Sequence, residues 1–319
     1  MGRAARLQAS LALAFFLGGC AVTTAAPPPL LGGFELPGGF VPHPLPGEGG
    51  ATVPALWRGE RAAPLRYRVI VVPGSGCAGM GAFAGRYFAG LLHAQVLVLH
   101  KPGIDPEART APGDCAPDFG RQDRLSAWLA HARAALRADA RQRAGAPAVP
   151  QLLVGISEGG ELLAALAPEV PQLAGLVLLS ASGLDPQEAG ALQARRLGAG
   201  AAWDTLGQAQ AGRAPDGAVL EGRSLGYWRD LWRWPLAEPL IQGPWPLLQV
   251  WGGSDELVPA IAYERFAEQA RGRAAPFCVR RLDDADHGLQ RGPVDGVQQV
   301  WAWTEQWARA PQAGLCAPP

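Results

Sequence analysis

Charge is what this sequence has least of. Asp, Glu, Lys and Arg make up 18% of 319 residues, and 28 basic side chains balance 28 acidic ones. A formal charge of zero gives no basic surface to release counterions, so nucleic acid is not an expected partner. Histidine is sparse, with five in the chain, and none of the five cysteines stands in a C-x-x-C spacing. Neither a zinc ribbon nor a thioredoxin-type redox motif is therefore expected, and no metal or cofactor is implied. The N-terminal apolar run, Leu7 to Leu17, is shorter than the roughly 20 residues of a membrane span. No internal repeat is visible. What is plentiful is apolar and turn-forming residues: 48% hydrophobic, 42 Gly and 30 Pro. A chain of this length and content buries a sizeable core interrupted by many turns.

Arg3 and Arg6 precede the apolar run, and Leu17-Gly18-Gly19-Cys20 follows it. This resembles the lipobox of bacterial lipoprotein signals, in which cleavage leaves the cysteine as a lipidated N-terminus. Residues 1–19 are expected to be the signal peptide and Cys20 the lipidation site. The chain would then sit at the periplasmic face of a bacterial cell envelope, partnered with the membrane through its lipid. An ordinary signal peptide, giving a secreted protein, is the alternative. Setting Cys20 aside leaves Cys77, Cys115, Cys278 and Cys316, an even number in an exported chain. Two disulfides are expected, and of three possible connectivities the nearest neighbours are favoured, Cys77 with Cys115 and Cys278 with Cys316.

Residues 20–64 read as a Pro/Gly-rich tether and lead-in, with room for a short edge hairpin. From residue 65 to about 310, strands and helices alternate. Strands are expected at Tyr67–Val72, Gln95–Leu99, Gln151–Ile156, Leu173–Leu179, Pro246–Trp251 and Phe277–Leu282. Helices are expected at Phe83–Leu92, Arg121–Arg143, Glu161–Ala167, Pro259–Ala270 and Val294–Ala308. This alternation implies an α/β fold with a mostly parallel sheet covered by helices on both faces. The run from about 185 to 243 breaks it and carries Trp203, Trp228, Trp232 and Trp234. It reads as a helical cap inserted between two strands, whose tryptophans either line a pocket or form the cap's own core. Residues 311–319 form a C-terminal tail. The chain is expected to be a monomer.

Gly155-Ile156-Ser157-Glu158-Gly159 matches G-x-S-x-G between an apolar strand and a helical run. That setting turns a serine sharply at a strand end and exposes its hydroxyl, with small neighbours so that the turn can close. Serine needs a base, and His287 is the only histidine after Ser157. An acid should stand between them on a strand end, and Asp255 in Gly253-Ser254-Asp255 is favoured over Glu256 and Asp185. Asp283, Asp284 and Asp286 are expected to face water. The loop Pro73-Gly74-Ser75-Gly76-Cys77 supplies backbone donors for an oxyanion, with the N–H of Ser75, or its rival Gly76, paired with the N–H of Glu158. Lys101, at the end of a strand, is expected to be a solvated loop charge, with an anionic substrate as the sharper alternative.

Val72-Pro73-Gly74-Ser75-Gly76, Gly155-Ile156-Ser157-Glu158-Gly159, Gly253-Ser254-Asp255 and Asp286-His287-Gly288 together resemble the landmarks of the α/β-hydrolase superfamily, over about residues 65 to 310. The resemblance implies a serine hydrolase without a metal, acting on a small-molecule acyl substrate through an acyl-enzyme on Ser157. An ester is the first expectation, with a thioester, an amide or peptide, or acyl transfer on the same triad as alternatives. A non-catalytic envelope lipoprotein that keeps the fold is a further one. Pro73-Gly74 replaces the His-Gly that many members carry at the oxyanion loop.

Overall fold

In the computed structural model, which describes residues 39–110 and 114–317, the Val-, Ile- and Leu-rich runs lie side by side in one eight-stranded sheet. In chain order the strands are β1 (Val41–Pro42), β2 (Ala55–Arg58), β3 (Tyr67–Val72), β4 (Ala94–Leu99), β5 (Gln151–Ile156), β6 (Leu173–Leu179), β7 (Leu247–Gly252) and β8 (Phe277–Leu282). Across the sheet they run β1-β2-β4-β3-β5-β6-β7-β8. The β1–β2 and β2–β4 pairings are antiparallel and all others parallel.

Every residue of β3, β5 and β7 is buried, as the crossover helices of a parallel sheet require. The pleat sorts them. Ile70, Val72, Leu97 and Leu99 pack under α3 (Leu125–Gln142) and α9 (Ala260–Gln269). Val69, Val71, Val96 and Val98 pack under α1 (Gly81–Tyr87) and α10 (Gly296–Trp307). The fold class is the one the alternation implied.

Two boundaries differ from the sequence expectation. The domain starts before residue 65, because β2 pairs residue for residue with β4 and Leu56 is fully buried. Two prolines of the expected tether sit where a strand tolerates them, Pro42 on the outermost strand and Pro54 just before β2. At the other end, Leu315 is buried and Cys316 is bonded to Cys278 of β8, so the tail as far as Ala317 packs on the domain. Cys77 is bonded to Cys115. The expected signal peptide and lipidation site, residues 1–19 and Cys20, lie outside the described residues.

The helix expected over 121–143 is two. α2 (Pro117–Gln122) stops and α3 begins at Leu125, with Asp123 in an extended conformation between them. Its carboxylate is taken by partners described below. The insertion holds α5 (Pro186–Arg196), α6 (Gly200–Ala211), the hairpin Val219–Leu220 with Arg223–Ser224, α7 (Leu225–Arg233) and α8 (Ala237–Gln242). Its tryptophans form its core. Trp203 stacks on Trp232 with ring centroids 4.4 Å apart, and Trp228 is fully buried. Trp234 donates its indole N–H to the carbonyl of Glu161 at 2.8 Å, joining cap to sheet domain.

Candidate active site

The chain leaves β5 at Ile156 and turns at Ser157 with φ +51°, a left-handed conformation that a side chain adopts only under strain. A 3₁₀ turn (Ser157–Leu162) follows and runs into the short helix α4 (Leu163–Leu166). Close packing holds the turn. A Cβ on Gly159 would stand 2.1 Å from the carbonyl oxygen of Val72 and 2.4 Å from that of Pro73. Glycine there lets the turn press against the loop that follows β3. That contact brings the two expected donor segments together.

Asp255 and His287 come from the ends of β7 and β8. A Cβ on Gly252 would meet the carbonyl oxygens of Asp286 and Ala285 at 2.2 and 2.3 Å, so glycine allows the two loops to touch. Ser254 N–H donates to the Ala285 carbonyl at 2.9 Å, and Ser180 Oγ, at the end of β6, donates to the His287 carbonyl at 2.6 Å. The imidazole is thus carried by a loop stitched to both neighbouring strands.

With its proton on Nδ1, His287 donates to Asp255 Oδ2 at 2.8 Å and accepts from Ser157 Oγ on Nε2 at 3.0 Å. Tyr263 donates its hydroxyl to the same Asp255 oxygen at 2.7 Å, while the N–H groups of Leu257 and Val258 donate to Oδ1 at 2.8 and 2.9 Å. Burial pushes the Asp255 pKa up. The bond to His287, that residue's charge, and the Val258 and Tyr263 donors outweigh it and hold the pKa below the usual aspartate value. Asp255 is therefore an anion fixed in place.

The rival acids are elsewhere. Glu256 is exposed. Asp185 accepts from the N–H groups of Leu236 and Ala237 at 2.7 and 2.9 Å, tying the two ends of the cap together. Asp283, Asp284 and Asp286 are exposed. On the oxyanion side, the Ser75 N–H has no hydrogen-bond partner among the described residues. Glu158 is the second residue of the 3₁₀ turn, where a backbone N–H lacks a partner within the helix.

Sequence reasoning missed what surrounds Glu158. Its side chain is buried. Lys101, the chain's only lysine, reaches Glu158 Oε1 at 2.5 Å and Asp123 Oδ1 at 2.8 Å, with its ammonium 4.7 Å from the Trp128 ring centroid. Tyr227 of the cap donates to Glu158 Oε2 at 2.7 Å, and Arg223 of the cap bonds Asp123. Burial raises the Glu158 pKa, but Lys101 and Arg223 more than reverse this and keep it a carboxylate. Lys101 is thus a buried ion-pair partner, the opposite of a solvated loop charge. The partners are 57 and 22 residues from it in sequence, beyond any local pattern.

A narrow cavity of about 30 Å³ opens beside Ser157. Leu184, Pro186, Ala189, Leu236 and Val258 give it apolar walls, and none of its lining residues is a tryptophan. A larger cavity, about 260 Å³, lies at the opposite end of the strands against Arg68, Asp139 and Gln151. It is remote from the Ser157 turn, and its size does not make it the site.

No family model matches the chain, and no curated protein does. Solved structures match well. A puromycin-hydrolysing peptidase of Mycobacterium tuberculosis aligns at TM-score 0.59 and 18% identity over 92% of this chain, which spans 42% of that longer one. An esterase of Pyrobaculum calidifontis aligns at 0.54 and 16%, covering 85% of this chain and 86% of its own. The esterase domain of a Rhodothermus marinus protein aligns at 0.51 and 21%, covering 85% and 98%. At these identities the likeness is one of fold, and the chain has the α/β-hydrolase fold.

Proposed function

We propose that the chain is a serine hydrolase that cleaves a carboxylic ester through an acyl-enzyme on Ser157. The observation that carries this is the unbroken line from Asp255 Oδ2 through the His287 ring to Ser157 Oγ, with links of 2.8 and 3.0 Å. Ser157 Oγ attacks the ester carbonyl carbon while its proton passes to His287 Nε2. Asp255 stabilises the imidazolium that results. The N–H groups of Ser75 and Glu158 take the charge that develops on the carbonyl oxygen. The tetrahedral adduct collapses, the C–O bond breaks, and the alkoxide leaves as an alcohol with the proton from Nε2. Water then gives its proton to His287 and attacks the acyl-enzyme. The second adduct releases a carboxylic acid and returns the proton to Ser157.

The esterases among the fold neighbours support this reaction class. Placement at the bacterial envelope, through Cys20, is part of the same proposal, and two disulfides suit an oxidising compartment. The test is a series of p-nitrophenyl esters of increasing acyl length beside matched p-nitroanilides. Turnover of short esters that disappears in Ser157→Ala supports the proposal. Cleavage of anilides alone would move the assignment to an amidase, and cleavage of neither would contradict it.

A further inference from the structure

Asp255 is bonded more fully than a partner of His287 needs to be. A carboxylate has about four acceptor positions. Among the described residues, the N–H groups of Leu257 and Val258 fill two of them on Oδ1, while His287 and Tyr263 share Oδ2 at 2.8 and 2.7 Å. Two of these donors belong to the loop of Asp255 itself, and one is the triad partner. Tyr263 is brought in from α9. It is fully buried, and its ring stacks on Trp251 of β7 with centroids 4.7 Å apart and planes 4° from parallel. A phenylalanine would keep that packing and would bury no hydroxyl in need of a partner. What tyrosine adds at this position is the bond to Asp255.

That bond bears on the base. A hydrogen bond to a carboxylate stabilises its charged form and satisfies part of its charge. Less of the Asp255 charge is then left to favour the protonated imidazole, which cannot take the serine proton. Burial and the Asp255 charge hold the Tyr263 pKa well above the usual tyrosine value, so the phenol stays a donor while the enzyme works. The other charged groups near the pair face away from the carboxylate. Arg196 of α5 bonds the backbone carbonyls of Asp255 and Glu256. Glu256, Asp283, Asp284 and Asp286 are exposed, and Arg281 pairs with Asp283. Glu158, across the nucleophile turn, is bonded to Lys101 and Tyr227, and Glu161 lies beyond it on the same turn.

We propose that Tyr263 is a positioning residue of the triad, whose hydroxyl shares Asp255 Oδ2 with His287 and so lets the enzyme work at lower pH than an Asp–His pair alone would. The inference rests on the Ser157 hydrolase reading.

The test is the pH profile of kcat/KM on the fastest p-nitrophenyl ester, an uncharged substrate, for wild type and Tyr263→Phe. The acid limb reports the free enzyme, and its midpoint does not depend on how much of the protein is folded. In Tyr263→Phe the midpoint is expected to rise by at least about half a pH unit. A merely structural role for the tyrosine would lower the whole curve and leave the midpoint in place. A second variant, site-specific Tyr263→3-fluorotyrosine, keeps the hydroxyl and makes it a stronger donor, so its midpoint should move to lower pH. A smaller rise in the first variant, or a rise in the second, overturns the inference and leaves the hydrolase reading standing. Cleavage of no ester by the wild type overturns both.

Discussion

The ammonium of Lys101 lies 2.5 Å from the carboxylate of Glu158, with both side chains buried. This ties the loop after β4 to the residue whose N–H is assigned to the oxyanion. The same carboxylate accepts from Tyr227 of the cap, so cap, loop and nucleophile turn share one anchor. Replacing Lys101 with Met removes the cation that Glu158 and Asp123 share and leaves Arg223 as the one cation bonded to this buried acidic pair. The expected loss of stability is about 3–5 kcal/mol, read from urea denaturation. In the fraction that stays folded, kcat should fall more than KM rises, since a displaced donor weakens the transition state and not the ground state.

Asp255→Asn keeps the shape of the acid but loses its charge and disfavours the imidazole tautomer it fixes. A fall in kcat of about 10⁴ is expected, by analogy with the aspartate of a Ser-His-Asp triad. Initial rates on the best short ester check it, and a loss below tenfold would remove Asp255 from its assigned role.

Ser157 holds φ +51°, a strained conformation that the proposed nucleophile role accounts for and stability does not. Glycine accepts that conformation freely, so Ser157→Gly should be inactive yet more stable by about 1 kcal/mol. Ser157→Ala should be equally inactive without the gain. Calorimetry on the three proteins separates these outcomes.

Glu161 gives a pH signature. The unfolded chain releases this proton near the ordinary value of 4.5, while the folded protein holds it to a higher pH. Between those two values the folded state binds more protons, so stability falls as pH rises, by at most about 1.4 kcal/mol per pH unit. Glu161→Gln removes that slope. Denaturation midpoints of the two proteins should therefore separate progressively above pH 4.5, in favour of the variant.

The Cys278–Cys316 bond closes a separation of 38 residues and pins the tail to β8. The chain-entropy argument puts the loss on replacing both with Ser at about 4 kcal/mol. Denaturation of the double variant, beside reduced wild type, measures it.

The fold was legible in the sequence because its signals are local. Runs such as Tyr67–Val72 are apolar on both faces, turn residues end them, and the strand ends observed differ from those expected by a residue or so. Ser157, Asp255 and His287 could be singled out because each follows a strand and the chain order is restrictive. What stayed hidden depends on distant partners. Asp123 breaks a helical pattern to meet Lys101 and Arg223, and the latter is 100 residues away. β2 reads as linker because its pairing with β4 is set by residues some 40 positions further on. The tryptophans of the cap carry no period that tells a core from a pocket wall.

The most direct measurement is fluorophosphonate labelling of wild type and Ser157→Ala, followed by peptide mapping. The account predicts one labelled peptide, containing Ser157, that is absent from the variant. A folded wild type that takes no label, or a label on another serine, would contradict it.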